Sequence, residues 1–78
     1  MKKHILFGEG AVLPAALKKY RAQLGVNQQE LGKLVGVSRQ TISQIERGDY
    51  SPSVTIALRL AKVCNTTVEN IFEYEEDD

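Results

Sequence analysis

The chain has 78 residues, 42% of them hydrophobic, and its ten Lys/Arg balance ten Asp/Glu. That length makes one small domain with a modest core, often completed by a partner or by self-association, and the apolar content argues against disorder over most of it. No apolar run approaches the roughly 20 residues that span a bilayer, MKKHILFGEG is too short in its apolar part for a signal peptide, and the lone Cys64 can form neither an internal disulfide nor a multi-cysteine zinc site, so the chain reads as soluble and cytoplasmic, with no membrane partner.

In chain order, residues 1–12 form an N-terminal extension in which KHILF has β-like composition but needs a partner strand. Ile71-Phe-Glu-Tyr-Glu75, which alternates apolar and charged residues, is one candidate, and Val12-Leu13 is a second possible strand, nearer the first helix; a small two-stranded sheet joining the two ends is expected, with a frayed N-terminus as the alternative. Pro14 suits the first turn of a helix carrying Leu17, Tyr20, Arg21 and Leu24, stopped by Gly25. Asn27 caps a second helix, with Glu30 in capping-box position, which runs through Leu31, Leu34 and Val35 to Gly36. Ser38 caps a third that Gly48 closes, and Asp49-Tyr-Ser-Pro52 is a loop. Ser53 caps a fourth with the apolar face Val54, Ala57, Leu58, Ala61 and Cys64, and Thr67 opens a short fifth from Val68 to about Phe72. Five short helices with tight connections make residues 13–72 a compact all-α domain, followed by an acidic tail, 73–78.

The zero net charge hides an asymmetry. Residues 1–47 hold eight Lys/Arg against three acids, whereas residues 48–78 hold Arg59 and Lys62 against seven. A basic half beside an acidic half suits one face meant for a polyanion and a tail kept away from it.

The third helix, within GVSRQTISQIERG (36–48), divides sharply. At about 100° per residue, Ile42 and Ile45 share one side with Glu46, while Gln40, Ser43, Gln44 and Arg47 fall on the other and Arg39 sits at its edge. Arg pairs bidentately with guanine, Gln with adenine, and Ser with either, so this face has the groups needed to read base edges. A helix built only for solubility would carry Glu and Lys instead. The preceding helix, the turn at Gly36, Val37 plugging that turn, and small Gly32 where two crossing helices approach make a helix-turn-helix, whose second helix enters the major groove.

From Leu17 to Phe72 the chain resembles the phage repressor and Cro-type (XRE-like) helix-turn-helix regulators, in their short stand-alone form. The resemblance is carried by Leu17-Lys-Lys-Tyr-Arg21, Gly25-Val-Asn-Gln28, Glu30-Leu31, Gly36-Val-Ser-Arg-Gln-Thr-Ile42, Ile45-Glu46, Gly48, Pro52-Ser53 and Ala57-Leu-Arg-Leu-Ala-Lys62, with the ending Asn65-Thr-Thr-Val-Glu-Asn-Ile-Phe72. It departs from the family at Gly32, where Ala is usual, a change costing about 1 kcal/mol of helix propensity, and in the extension before residue 11.

The resemblance implies base reading by Arg39, Gln40, Ser43 and Gln44, with Ser38 close to the first base pair or a phosphate. It implies a phosphate contact at Gln28, with Asn27, Tyr50 and Ser51 as further backbone contacts, in keeping with the affinity of helix N-termini for phosphates. Glu46 falls beside the isoleucines, where an unpaired carboxylate is costly, and Arg21 is the cation to meet it; the family match implies the same structural ion pair. Family members act as homodimers on two half-sites, and one short recognition helix gives little contact by itself. Ile71, Phe72 and Tyr74 are the dimer surface this reading expects.

The expected function is therefore a sequence-specific, dimeric regulator of transcription, acting as a repressor on double-stranded DNA. An antitoxin paired with a toxin, a restriction-modification controller, and a protein-interaction module that no longer binds DNA are the alternatives on the same fold. The sequence carries no nucleophile and base pair, Gly-rich phosphate loop or metal spacing, so no enzyme, cofactor or metal is expected, and His4 is read as a solvent-exposed residue of the extension.

Overall fold

In the computed structural model of the chain, residues 11–75 are described. Among them the order is β1 (Ala11–Leu13), α1 (Leu17–Leu24), α2 (Gln28–Val35), α3 (Arg39–Glu46), α4 (Val54–Val63), α5 (Val68–Ile71) and β2 (Glu73–Glu75). The KHILF segment from Lys3 to Phe7, and His4 within it, lie outside the described residues.

Local chemistry sets most of these boundaries. Asn27 Oδ1 accepts from the Glu30 amide at 2.8 Å while the Asn27 amide donates to Glu30 Oε1 at 2.8 Å, a complete capping box opening α2. The hydroxyls of Ser38, Ser53 and Thr67 accept from the amides of Thr41, Ile56 and Asn70, capping α3, α4 and α5. The chain leaves α3 through Gly48 at φ 80°, with the Gly48 amide on Ile45 O at 3.0 Å and the Asp49 amide on Gln44 O at 2.9 Å, a Schellman closure. Asn65, at φ 56°, closes α4 in the same way.

The first helix starts later than the sequence suggests. Pro14 precedes α1, which begins at Leu17 with Ala16 as its uncapped boundary. Two forces hold residues 14–16 back: proline biases Leu13 toward extended backbone, and the Ala16 amide donates to Ile71 O at 3.0 Å, tying the segment to the end of α5.

β1 and β2 pair antiparallel, with Ala11 opposite Glu75, Val12 opposite Tyr74 and Leu13 opposite Glu73. Of the two candidate strands near the start of the chain, the one containing Val12-Leu13 makes this described sheet. β1 straddles the expected boundary between extension and domain, and its partner lies in the segment read as the acidic tail.

One core joins all five helices: Leu17 of α1, Leu31 and Val35 of α2, Ile42 and Ile45 of α3, Leu60 and Ala61 of α4, Ile71 of α5, with Cys64 and Phe72 just beyond α4 and α5. Burial pushes the Cys64 thiol pKa up, because the thiolate loses its hydration. The face of α4 differs from the expected one. Val54 and Leu58 are 74% and 57% exposed, and fully buried Leu60 takes their place beside Ala61 and Cys64. The segment VTIALRLAKV carries two overlapping apolar stripes that share Ala57 and Ala61, and packing selects the one that also uses Ile56, Leu60 and Val63.

Ile71 and Phe72 also differ from expectation. The expectation places them with Tyr74 at a dimer surface, yet Ile71 is fully buried and Phe72 nearly so within the chain's own core, while Tyr74 is 59% exposed.

Candidate nucleic-acid interface

The two helices of the helix-turn-helix pack through a turn that only a small residue permits. Gly32 O accepts from both the Gly36 and Val37 amides at 2.8 Å. A methyl group on Gly32 would sit 2.5 Å from Val37 O and 3.2 Å from Ser38 O, so the turn closes directly onto the glycine. Val37 packs on the core, Gly36 adopts φ 85°, and Arg59 Nη1 of α4 donates to Val35 O at 3.2 Å, bracing the end of α2.

With Ile42 and Ile45 buried, α3 exposes Arg39 and Gln40, while Ser43 and Gln44 are half-buried on the same polar side. Ser38 uses its hydroxyl internally, accepting from the Thr41 amide at 3.1 Å and sharing a 3.0 Å hydrogen bond with Thr41 Oγ1. Ser43 Oγ accepts from Arg47 Nη1 at 2.8 Å, and Arg47 Nε donates to Asp49 Oδ2 at 3.0 Å.

At the other end of α3, Arg21 Nε donates to Glu46 Oε2 at 2.6 Å and Arg21 Nη2 to Glu46 Oε1 at 3.3 Å. Their side chains are only 16% and 6% exposed. Arg21 Nη1 also donates to Val26 O at 3.1 Å, and Gln28 Nε2 to Glu46 Oε1 at 3.0 Å. One carboxylate thus joins α1, the first residue of α2 and the last residue of α3, fixing how α3 is presented.

Arg21, Asn27, Gln28, Gln29 and Arg39 line an open cleft of about 350 Å³ where the start of α2 meets the start of α3. The exposed Arg39 and the positive end of α2 line one concave surface, with Arg21 beside them neutralised by Glu46, an arrangement suited to an anionic oxygen cluster such as a phosphate. The cleft brings together Asn27, Gln28, Arg21 and Arg39 from the expected set. Tyr50 and Ser51 are exposed in the loop after α3 and do not line it. Gln29 was not foreseen; its place after Asn27-Gln28 in the first turn of α2 was the available signal. The bond from Arg47 to Ser43, and that from Arg47 to Asp49, are likewise outside the sequence expectation.

A helix-turn-helix whose second helix exposes Arg and Gln beside a basic cleft defines a DNA-binding protein. The helix-turn-helix family profile matches residues 17–71, and the chain belongs to that family as an XRE-type transcriptional regulator, a class that binds double-stranded DNA and is not enzymatic. A protein of Methanocaldococcus jannaschii named as an uncharacterised HTH-type transcriptional regulator is 48% identical over 62 residues, covering 80% of this chain and 94% of its own. The P22 c2 repressor protein, solved in complex with synthetic operator 9T, shares the fold with a TM-score of 0.69 at 34% identity, over 73% of this chain and 88% of its own. The restriction-modification controller protein C.AhdI from Aeromonas hydrophila matches with a TM-score of 0.66 at 27% identity, over 72% of this chain and 81% of its own. Among the described residues no helix is long and apolar enough to cross a membrane.

Proposed function

We propose that the chain is a cytoplasmic repressor that binds a palindromic operator as a homodimer, each protomer laying α3 in the major groove. The observation that carries this reading is the outward polar face of α3, held on a rigid two-helix frame beside the basic cleft. Arg39 and Gln40, at the exposed N-terminal turn of α3, reach deepest and read bases, with Ser43 and Gln44 reading one turn further on. The cleft at the start of α2 grips the backbone: Gln28 and Asn27 contact a phosphate and Arg39 supplies the charge, while Arg21 behind them stays paired with Glu46. Ser38, Tyr50 and Ser51 make lesser backbone contacts at the two ends of α3.

Dimerisation follows from size, since one eight-residue helix contacts too few base pairs for tight, specific binding. Ile71 and Phe72 are already used in the protomer's core, so the apolar surface for a second copy comes from Val54 and Leu58 of α4 and from Tyr74. The likeness to C.AhdI supports a second reading, a controller of a neighbouring restriction-modification system with the same DNA chemistry.

Selection of bound duplexes from a random-sequence pool, followed by titration of the winner across salt, tests the proposal. An inverted repeat with half-site centres about one helical turn apart, bound with affinity that falls steeply as salt rises, is the expected result. Enrichment of no sequence would leave a helix-turn-helix fold used for protein contact.

A further inference from the structure

The geometry around Ser43 carries a consequence for which bases α3 accepts. A serine hydroxyl has one proton to donate and two lone pairs that accept. Here Oγ is the acceptor of the 2.8 Å bond from Arg47 Nη1, so the proton remains available for another partner. A cation donating into an oxygen polarises its O–H bond and strengthens that group as a donor. The same cation repels a second donor, such as the amino hydrogens of cytosine N4 or adenine N6, that seeks the remaining lone pair.

The guanidinium is placed for this task. Ser43 and Arg47 are four residues apart and share one side of the helix. The Schellman closure through Gly48 turns the chain back, so that the Asp49 carboxylate meets Arg47 Nε while Nη1 stays on Ser43. Arg47 and Asp49 are 59% and 60% exposed, and ion pairs this open contribute little to stability. What the pair fixes is the direction of one guanidinium, and through it the hydrogen-bonding sense of one hydroxyl.

We infer that Arg47, held by Asp49, sets Ser43 as a hydrogen-bond donor toward the base edge, so that this position of α3 favours a base whose major-groove edge offers a carbonyl acceptor, guanine O6 or thymine O4, over one that offers an amino group, cytosine N4 or adenine N6. Arg47 and Asp49 are thus positioning residues for specificity. The inference rests on the reading that α3 enters the major groove.

The experiment measures affinity of the full chain for its selected duplex with every base pair of one half-site replaced in turn, for wild type, Ser43→Ala, Arg47→Met, Asp49→Ala and, as a control, Arg39→Ala. Wild type should favour an acceptor over an amino group at one step by about tenfold, the scale of one good base contact. Ser43→Ala should reduce that preference to about twofold at that step alone. Arg47→Met and Asp49→Ala should do the same, although the first removes a positive charge and weakens overall binding while the second removes a negative charge and tightens it. Preferences lost in Arg39→Ala should lie at a different step and persist in the other variants. A purely electrostatic role for Arg47 and Asp49 would scale every step together, and that result, an unchanged profile, or a Ser43-dependent step that prefers an amino group overturns the inference. If no duplex is enriched at all, base reading by α3 fails and the inference falls with it, whereas specific binding with an unaltered Arg47→Met profile removes the inference alone. Denaturation curves of all four variants that match wild type exclude loss of fold as the cause.

Discussion

Replacing Glu46 with alanine should be the most damaging single change on the polar side of the molecule. The substitution removes the acceptor of two hydrogen bonds from Arg21 and one from Gln28, and leaves the Arg21 guanidinium in a site where only 16% of its side chain is exposed. Removing one partner of a buried pair costs about 3–5 kcal/mol. Arg21 keeps its bond to Val26 O and a little solvent contact, which places the loss near the lower end, about 3 kcal/mol. A domain of this size holds roughly 4–12 kcal/mol in all. With about 4–8 °C of melting temperature per kcal/mol, the midpoint should fall by about 12–24 °C in thermal unfolding followed by circular dichroism. The double replacement Arg21→Met with Glu46→Met should be less destabilised than Glu46→Ala, because no charge is left stranded. A Glu46→Ala protein melting within a few degrees of wild type would refute the reasoning, since it would mean the three hydrogen bonds and the buried charge contribute nothing net.

Ser38→Ala should lower stability by about 1 kcal/mol in urea denaturation, the usual cost of losing a helix N-cap, and should weaken DNA binding through fraying of the first turn of α3. Tyr20→Phe removes the acceptor of a 3.2 Å bond from Thr66 Oγ1, itself held by Asn70 Nδ2 at 3.0 Å, and should cost about 1 kcal/mol in the same assay. The Cys64 thiol, whose pKa burial raises, should react with a disulfide reagent at mildly alkaline pH far more slowly in the native state than in urea. Because the folded state holds that proton more tightly than the unfolded one, stability is full below the ordinary thiol pKa and declines as pH rises above it, so the decline should be shallower in Cys64→Ala when urea titrations are run across that range. Arg39→Ala should lose about 1–3 kcal/mol of DNA affinity and relax specificity at one base pair, measured by fluorescence anisotropy on single-step duplex variants.

Much of this molecule was legible because its signals are local. The Asn27 and Glu30 spacing announces a capping box, Ser38 and Ser53 announce helix starts, and Gly36 and Gly48 announce stops, all within one turn of chain. The division of α3 into an isoleucine face and an Arg/Gln face survives intact, because only two of its residues are large and apolar and they are three apart. Where local patterns were ambiguous, packing decided. The composition of α4 allows two stripes, and the pattern could not show that Leu60 would displace Val54 and Leu58. Pro14 fits a helix start equally well as the exit from a strand, and the choice depends on a bond between Ala16 and Ile71, fifty-five positions away. The cleft and the Ser43, Arg47 and Asp49 chain had partial signals: the i to i+4 spacing of Ser43 and Arg47 can be read, but the return of Asp49 needs the left-handed turn at Gly48.

The central claim, that α3 reads bases from the major groove, is tested most directly by methylation interference on the selected duplex. Methylation at guanine N7 blocks the major-groove edge, and methylation at adenine N3 blocks the minor-groove edge. The account predicts strong interference at guanine N7 positions within each half-site, at least one of them lost in Arg39→Ala, and none at adenine N3 there. Interference confined to adenine N3, or absent from both edges while the duplex remains bound, would contradict it.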